Sequence, residues 1–152
     1  GASSSTHGYA SGGSDPGGLS NIIEKFPFAS DKKEGDVGDL TQNRQEPAGQ
    51  SSKTFGYNSG GYGGSPNALQ DTIDKFPFAV DTDATDVGNL SRAKLSMSGN
   101  ESDTDGYTVG GVNQPNTGLT EIDRFPFAGA PRVRVTVVRE TRESVLALMR
   151  VW

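Results

Sequence analysis

The sequence predicts an all-β fold of three tandem units, each a small four-stranded sheet. Three observations predict it: a motif set that returns about every 49 or 50 residues, a turn-rich composition, and short period-two aromatic runs. Phe-Pro-Phe-Ala stands at 26–29, 76–79 and 125–128. Gly-Tyr stands at Gly8-Tyr9, Gly56-Tyr57 and Gly106-Tyr107, each followed by a diglycine at 12–13, 60–61 and 110–111. These anchors divide the chain into units of about 1–45, 46–95 and 96–130, with a divergent basic segment at 131–152. Gly numbers 21 of 152 residues while hydrophobic residues make up 32%, which disfavours a helix-packed core and favours frequent turns.

The second unit is the template for the strands. The first strand falls around 46–52 and the second at 54–59, where Phe55, Tyr57 and Ser59 share one face. Gly60-Gly61 closes it, because glycine enters positive φ without steric cost. A third strand at 71–79 places Phe76 and Phe78 on one face and Ile73 on the other. Pro77 cannot donate a ladder hydrogen bond, so this strand is expected at an edge or with Pro77 in a bulge. The fourth strand is 86–91, Asp-Val-Gly-Asn-Leu-Ser, matched in the first unit by Asp-Val-Gly-Asp-Leu-Thr at 36–41 and absent from the third.

Four strands in 40–50 residues is the pattern of a β-propeller blade, and one blade cannot bury both faces of its sheet. Neighbours must therefore stack, with the Phe pairs Phe26/Phe28, Phe76/Phe78 and Phe125/Phe127 as filling. A closed ring takes about four to eight blades, so three imply closure by a homodimer of six. A β-solenoid or another three-fold β fold is the alternative.

The diglycine after a strand, the aromatic-anchored strand at 73–78 and the short strand ending in an Arg at 37–44 resemble the kelch family of propellers over most of residues 1–128. A kelch blade usually carries a Trp in its last strand, and the one Trp here is Trp152, outside the units. Ile-Asp-Lys-Phe-Pro-Phe-Ala followed by Thr-Asp-Val-Gly-Asn-Leu also resembles repeats in virion structural proteins of bacteriophages that infect marine cyanobacteria. That resemblance implies a virion or extracellular location and a fibre, appendage or host-contact role.

The tail has its own character. From 132 to 152 there are five Arg and two Glu, a net +3 against −8 for the rest of the chain, whose total is −5. The alternation at 132–138 suits a half-buried strand that fills the third unit's vacant fourth position, and 140–152 suits a short amphipathic helix or a continued strand. The acidic units lack a basic stripe, so no nucleic-acid partner is expected. No apolar run is long enough to span a membrane, and no membrane partner is expected.

The residues give little support to catalysis. Cysteine is absent, which excludes disulfides, thiolate metal sites, cysteine nucleophiles and the Cys–Tyr cross-link of copper-using kelch enzymes. His7 is the one histidine, and its counterparts are Phe55 and Asp105; no Gly-x-Ser-x-Gly elbow exists. Asp81, Asp83 and Asp86, and Glu101, Asp103 and Asp105, alternate as calcium loops begin, but Val112 stands where the closing Glu belongs. They read as solvated turns. No catalytic residue, metal site or cofactor is assigned.

A non-enzymatic structural and recognition module is the expected function, with the divergent loops 14–20, 62–69 and 112–119 as its contact surface. The alternative is a lectin-like propeller that binds a glycan through Tyr9, Tyr57 and Tyr107 with Asp15, Tyr62, Asn67 and Asn113. The expected partners are a second copy of the chain and a glycan or host-surface ligand.

Overall fold

The computed structural model describes residues 1–32, 35–129 and 133–137, and all regular structure among them is β. There are 17 strands: β1 (Ala2–Ser3), β2 (His7–Asp15), β3 (Gly18–Pro27), β4 (Gly35–Asp39), β5 (Arg44–Gln45), β6 (Ala48–Ser51), β7 (Phe55–Ser59), β8 (Tyr62–Gly63), β9 (Ala68–Leu69), β10 (Thr72–Pro77), β11 (Thr85–Asn89), β12 (Ser98–Glu101), β13 (Asp105–Val109), β14 (Val112–Asn113), β15 (Thr117–Gly118), β16 (Glu121–Pro126) and β17 (Arg134–Val137). They form three four-stranded antiparallel meanders, β1-β2-β3-β4, β6-β7-β10-β11 and β12-β13-β16-β17, with small sheets β5-β8-β9 and β14-β15. None closes into a barrel.

Each sheet is built on a glycine lying under an aromatic ring. Gly8 pairs with Phe26, Gly56 with Phe76 and Gly106 with Phe125. In each case a Cβ on the glycine would run into the ring of its partner, so the ring covers the strand where a side chain would stand. This is the physical reason that Gly-Tyr and Phe-Pro-Phe occur together.

Consecutive sheets share two apolar clusters. Tyr9, Ile23 and Leu40 of the first sheet and its outgoing segment meet Phe76 and Ala84 of the second, with Phe78 packed alongside. Tyr57, Ile73 and Leu90 meet Phe125 of the third sheet, with Phe127 and Val133 alongside. The tyrosine rings lie at 4.9 Å and 22° on Phe78 and at 4.8 Å and 21° on Phe127, and are tilted against Phe76 and Phe125 at 5.5 and 5.6 Å. Such offset pairs add to the area they bury.

Four sequence expectations are corrected. The strand carrying Pro77 is not at an edge: β10 pairs with β7 on one side and β11 on the other. Pro77 ends it, two residues beyond Lys75, the last residue paired with β11, so its missing N–H costs no ladder bond there. The first diglycine does not close its strand, because β2 and β3 run on as a long hairpin with a register shift at Ser11/Gly13. Residues 14–20 are thus hairpin rather than irregular loop, and 62–69 and 112–119 carry the two-residue strands β8, β9, β14 and β15. Phe26 and Phe28 are not filling within this chain, since they are 44% and 57% exposed.

The tail strand stands where the sequence places it. Arg134–Val137 pairs with β16 as the fourth strand of the third sheet. The second sheet carries a bulge at Ile73/Asp74, opposite the Asp86 carboxylate that accepts the Gly88 N–H at 3.0 Å. The third sheet lacks Asp-Val-Gly and its ladder runs without a shift. The helix or strand expected at 140–152 lies outside the described residues.

Candidate functional site

The strongest concentration of polar chemistry lies at the joints between sheets. Arg44, fully buried after β4, reaches forward into the second sheet. It donates to Asp74 Oδ2 at 2.7 Å, to the Gly60 and Thr72 carbonyls at 3.2 and 3.3 Å, and to Thr41 Oγ1 at 3.3 Å. Asp74, also fully buried, accepts further bonds from the Thr41 N–H at 3.0 Å and the Thr41 hydroxyl at 2.7 Å. Burial pulls the Arg44 guanidinium below its usual value, while the charges of Asp74 and Asp86 oppose that shift.

The second joint repeats the plan with different residues. Lys94, fully buried, lies 3.1 Å from Asp123 Oδ2 and 3.5 Å from Glu121 Oε1. The Ser91 N–H donates to Asp123 at 3.2 Å, as Thr41 does to Asp74. Arg92 adds a contact to Glu121 at 2.9 Å from a half-exposed position. A buried cation is tolerable where acids and carbonyls meet it with good geometry, which the fork of Arg44 achieves more completely than the point charge of Lys94.

The backbone is held equally closely at one side of the sheets. Cβ atoms on Gly49 and Gly99 would collide with the backbone of Gly1 and Gly49 respectively, so the first strands of consecutive sheets approach main chain to main chain. Gln50, buried beside them, donates to the Tyr107 carbonyl at 3.0 Å and accepts the Ser59 hydroxyl at 3.0 Å. Sequence reasoning missed Gly1, Gly49 and Gly99, and also the acids Asp74 and Asp123. Their spacings of 48, 50 and 49 residues were the available signal, obscured by frequent Gly and Asp elsewhere.

The expected ligand residues do not converge on one pocket. Tyr9 and Tyr57 are 4% and 1% exposed, with their rings spent on the neighbouring Phe pairs, so neither ring is open to a sugar. Burial pushes the Tyr57 hydroxyl up. Tyr107 is half-buried on the third sheet. Asp15 caps the β2–β3 turn by accepting the Gly17 N–H at 2.7 Å. Tyr62 in β8 and exposed Asn67 stand in the connection between β7 and β10, and half-buried Asn113 in β14 stands in the connection between β13 and β16.

The acidic clusters are likewise divided. Asp81 meets Lys25 at 3.3 Å, Asp83 accepts the Asp39 N–H at 3.0 Å and Asp86 serves its own bulge. Asp105 is buried against Arg124 at 2.9 Å and the Thr104 hydroxyl at 2.7 Å, and these hydrogen bonds hold its carboxyl below the usual range. Glu101 and Asp103 are exposed. Among the described residues no three His, Cys, Asp or Glu side chains are grouped so as to hold a metal ion.

The arrangement defines an all-β protein of four-stranded meander sheets joined face to face by buried ions and aromatic stacks. Solved structures share this fold: a structure of YjhT matches with a TM-score of 0.72 at 11% sequence identity, over 89% of this chain and 44% of that one. The chain therefore spans less than half the length of YjhT. No family model and no curated protein matches the sequence.

Proposed function

We propose that this chain is a non-enzymatic structural and recognition module, a run of three kelch-like propeller blades of the kind carried by a virion or cell-surface protein. One observation carries the reading. The residues common to the units are consumed in building the sheets and their joints, while the connections between second and third strands differ in length, sequence and form. Selection for a site of fixed chemistry would have kept matching polar groups in those connections. Instead, invariance belongs to the scaffold and variety to the surface, as in modules that present loops on a rigid frame. A three-fold sugar site on Tyr9, Tyr57 and Tyr107 is disfavoured, since two of those rings are covered.

The test is binding of the fluorescently labelled chain to intact cells of a panel of marine cyanobacteria. Strain-selective binding is expected, lost when 62–69 and 112–119 are replaced by Gly-Ser segments of equal length with the far-ultraviolet circular dichroism unchanged. Turnover of polysaccharide or ester substrates by the pure chain, or binding indifferent to both replacements, would overturn the reading.

A further inference from the structure

The first joint shows what a Phe-Pro-Phe run receives. Tyr9 stacks on Phe78 at 4.9 Å and 22° and tilts against Phe76 at 5.5 Å. Directly across the strand pair from Tyr9 is Lys25, whose ammonium lies 3.3 Å from Asp81 Oδ1. The run Phe76-Pro77-Phe78-Ala79-Val80-Asp81 thus meets two side chains at once, a tyrosine ring with its Phe pair and the lysine beside it with its acid.

The second joint separates the two parts. Tyr57 stacks on Phe127 in the same way, but the run at 125–130 is Phe-Pro-Phe-Ala-Gly-Ala and carries no acid. Lys75, across from Tyr57, lies instead over the Phe55 ring of its own sheet, 3.9 Å from the centroid. Of the two joints, the lysine crosses at the one where the aspartate stands.

The first sheet repeats the complete run on its outer face, as Phe26-Pro27-Phe28-Ala29-Ser30-Asp31. Ser30 and Lys32 replace Val80 and Thr82, which stand exposed at the first joint. Phe26 and Phe28 hold the T-shaped arrangement of Phe76 and Phe78, 6.1 Å and 72° against 6.0 Å and 76°, yet they are exposed. With Pro27, Ser30, Asp31 and Lys32 they line a cavity of about 390 Å³. The receiving geometry is present with nothing seated on it, so little ordering opposes binding there.

We propose that this outer face is a docking site for a separate protein whose antiparallel sheet carries a tyrosine directly across from a lysine, with the ring seated on Phe26 and Phe28 and the ammonium on Asp31. Both contacts continue an interface already present inside the chain, and the aspartate supplies the matching charge. Docking also takes the exposed aromatic pair out of water. A second copy of this chain does not offer the pair. Tyr9 and Tyr57 are covered, and the residue across from Tyr107 is Arg124, engaged by Asp105 of its own sheet at 2.9 Å. The site lies apart from the connections 62–69 and 112–119 of the recognition reading, and neither depends on the other.

The probe is a backbone-cyclised β-hairpin that carries tyrosine directly across from lysine, titrated into the full chain. Proton NMR follows the Phe28 ring and the hairpin's tyrosine ring, and light scattering follows the mass. Saturable shifts of both rings are expected. Phe28→Ala should weaken binding at least about tenfold with unchanged circular dichroism. Asp31→Lys should weaken it about threefold, as for an exposed ion pair, and a hairpin with glutamate in place of lysine should recover that loss. The absence of a saturable shift, indifference to Phe28→Ala, or equal binding of a hairpin with serine in place of tyrosine would each overturn the proposal. So would failure of the charge reversal to recover the loss, or a chain whose Phe28 ring is already covered in its own oligomer. The cell-binding test alters 62–69 and 112–119 and this one alters Phe28 and Asp31, so the two readings fail separately.

Discussion

Replacing Arg44 by Met keeps most of the side chain's volume and removes its charge, leaving the Asp74 carboxylate buried with only Thr41 to meet it. The structure sets the magnitude. Four donated contacts between 2.7 and 3.3 Å disappear, including those to the Gly60 and Thr72 carbonyls. Charged hydrogen bonds taken singly are worth about 1.5–3 kcal/mol each, but desolvation of the guanidinium opposes them. A net loss of about 3–5 kcal/mol is expected, as for other buried pairs broken at one partner. Urea unfolding followed by circular dichroism measures it. Asp74→Leu removes the orphaned acid, so the double variant Arg44→Met/Asp74→Leu should lie about 1–3 kcal/mol above the sum of the single losses. A loss below about 1 kcal/mol for Arg44→Met, or strict additivity, would refute the view that this pair locks the first two sheets together.

Three further outcomes follow from the same packing. Gly56→Ala places a Cβ against the ring of Phe76, itself held by Tyr9, and should cost about 1–3 kcal/mol in urea unfolding; Gly8→Ala should cost much less, because the exposed Phe26 ring can swing away. Tyr57→Ala should cost about 3–5 kcal/mol by emptying the stack on Phe125 and Phe127. Tyr57→Phe should cost less than about 1 kcal/mol, because the hydroxyl's contact to the Phe127 carbonyl is long at 3.5 Å, and similar losses from both variants would show that the hydroxyl matters more than the ring. Asp105 is held below its ordinary value by Arg124 and Thr104, so its contribution is present above the unfolded aspartate value of about 3.9 and is lost as pH falls through the lower folded value. Asp105→Asn should therefore flatten thermal stability against pH on that acid limb, and an unchanged slope would remove Asp105 from the account.

The all-β class and the longer strands were legible because glycine, the aromatic pairs and the Asp-Val-Gly turn act locally. Each constrains a backbone position whatever lies across the joint: Gly60 and Gly61 take φ of 64° and 102°, and the ring of Phe76 needs a glycine beside it. The position of β17 was legible for the same reason, since alternation marks a strand. Asp74, Asp123 and Lys94 were not, because an acid or a lysine carries no local signature of burial.

The sequence alone thus determined that the fold is all-β and which face of the longer strands carries the aromatic rings, since strand alternation and glycine sterics depend on near neighbours along the chain. Only tertiary structure decided that Tyr9 and Tyr57 are covered, that Arg44 and Lys94 each reach into the next sheet, and that Phe26 and Phe28 are left in the open. Burial and ion pairing depend on what a neighbouring sheet brings to the interface, and residues 33 positions apart, such as Thr41 and Asp74, acquire their meaning only when the sheets meet.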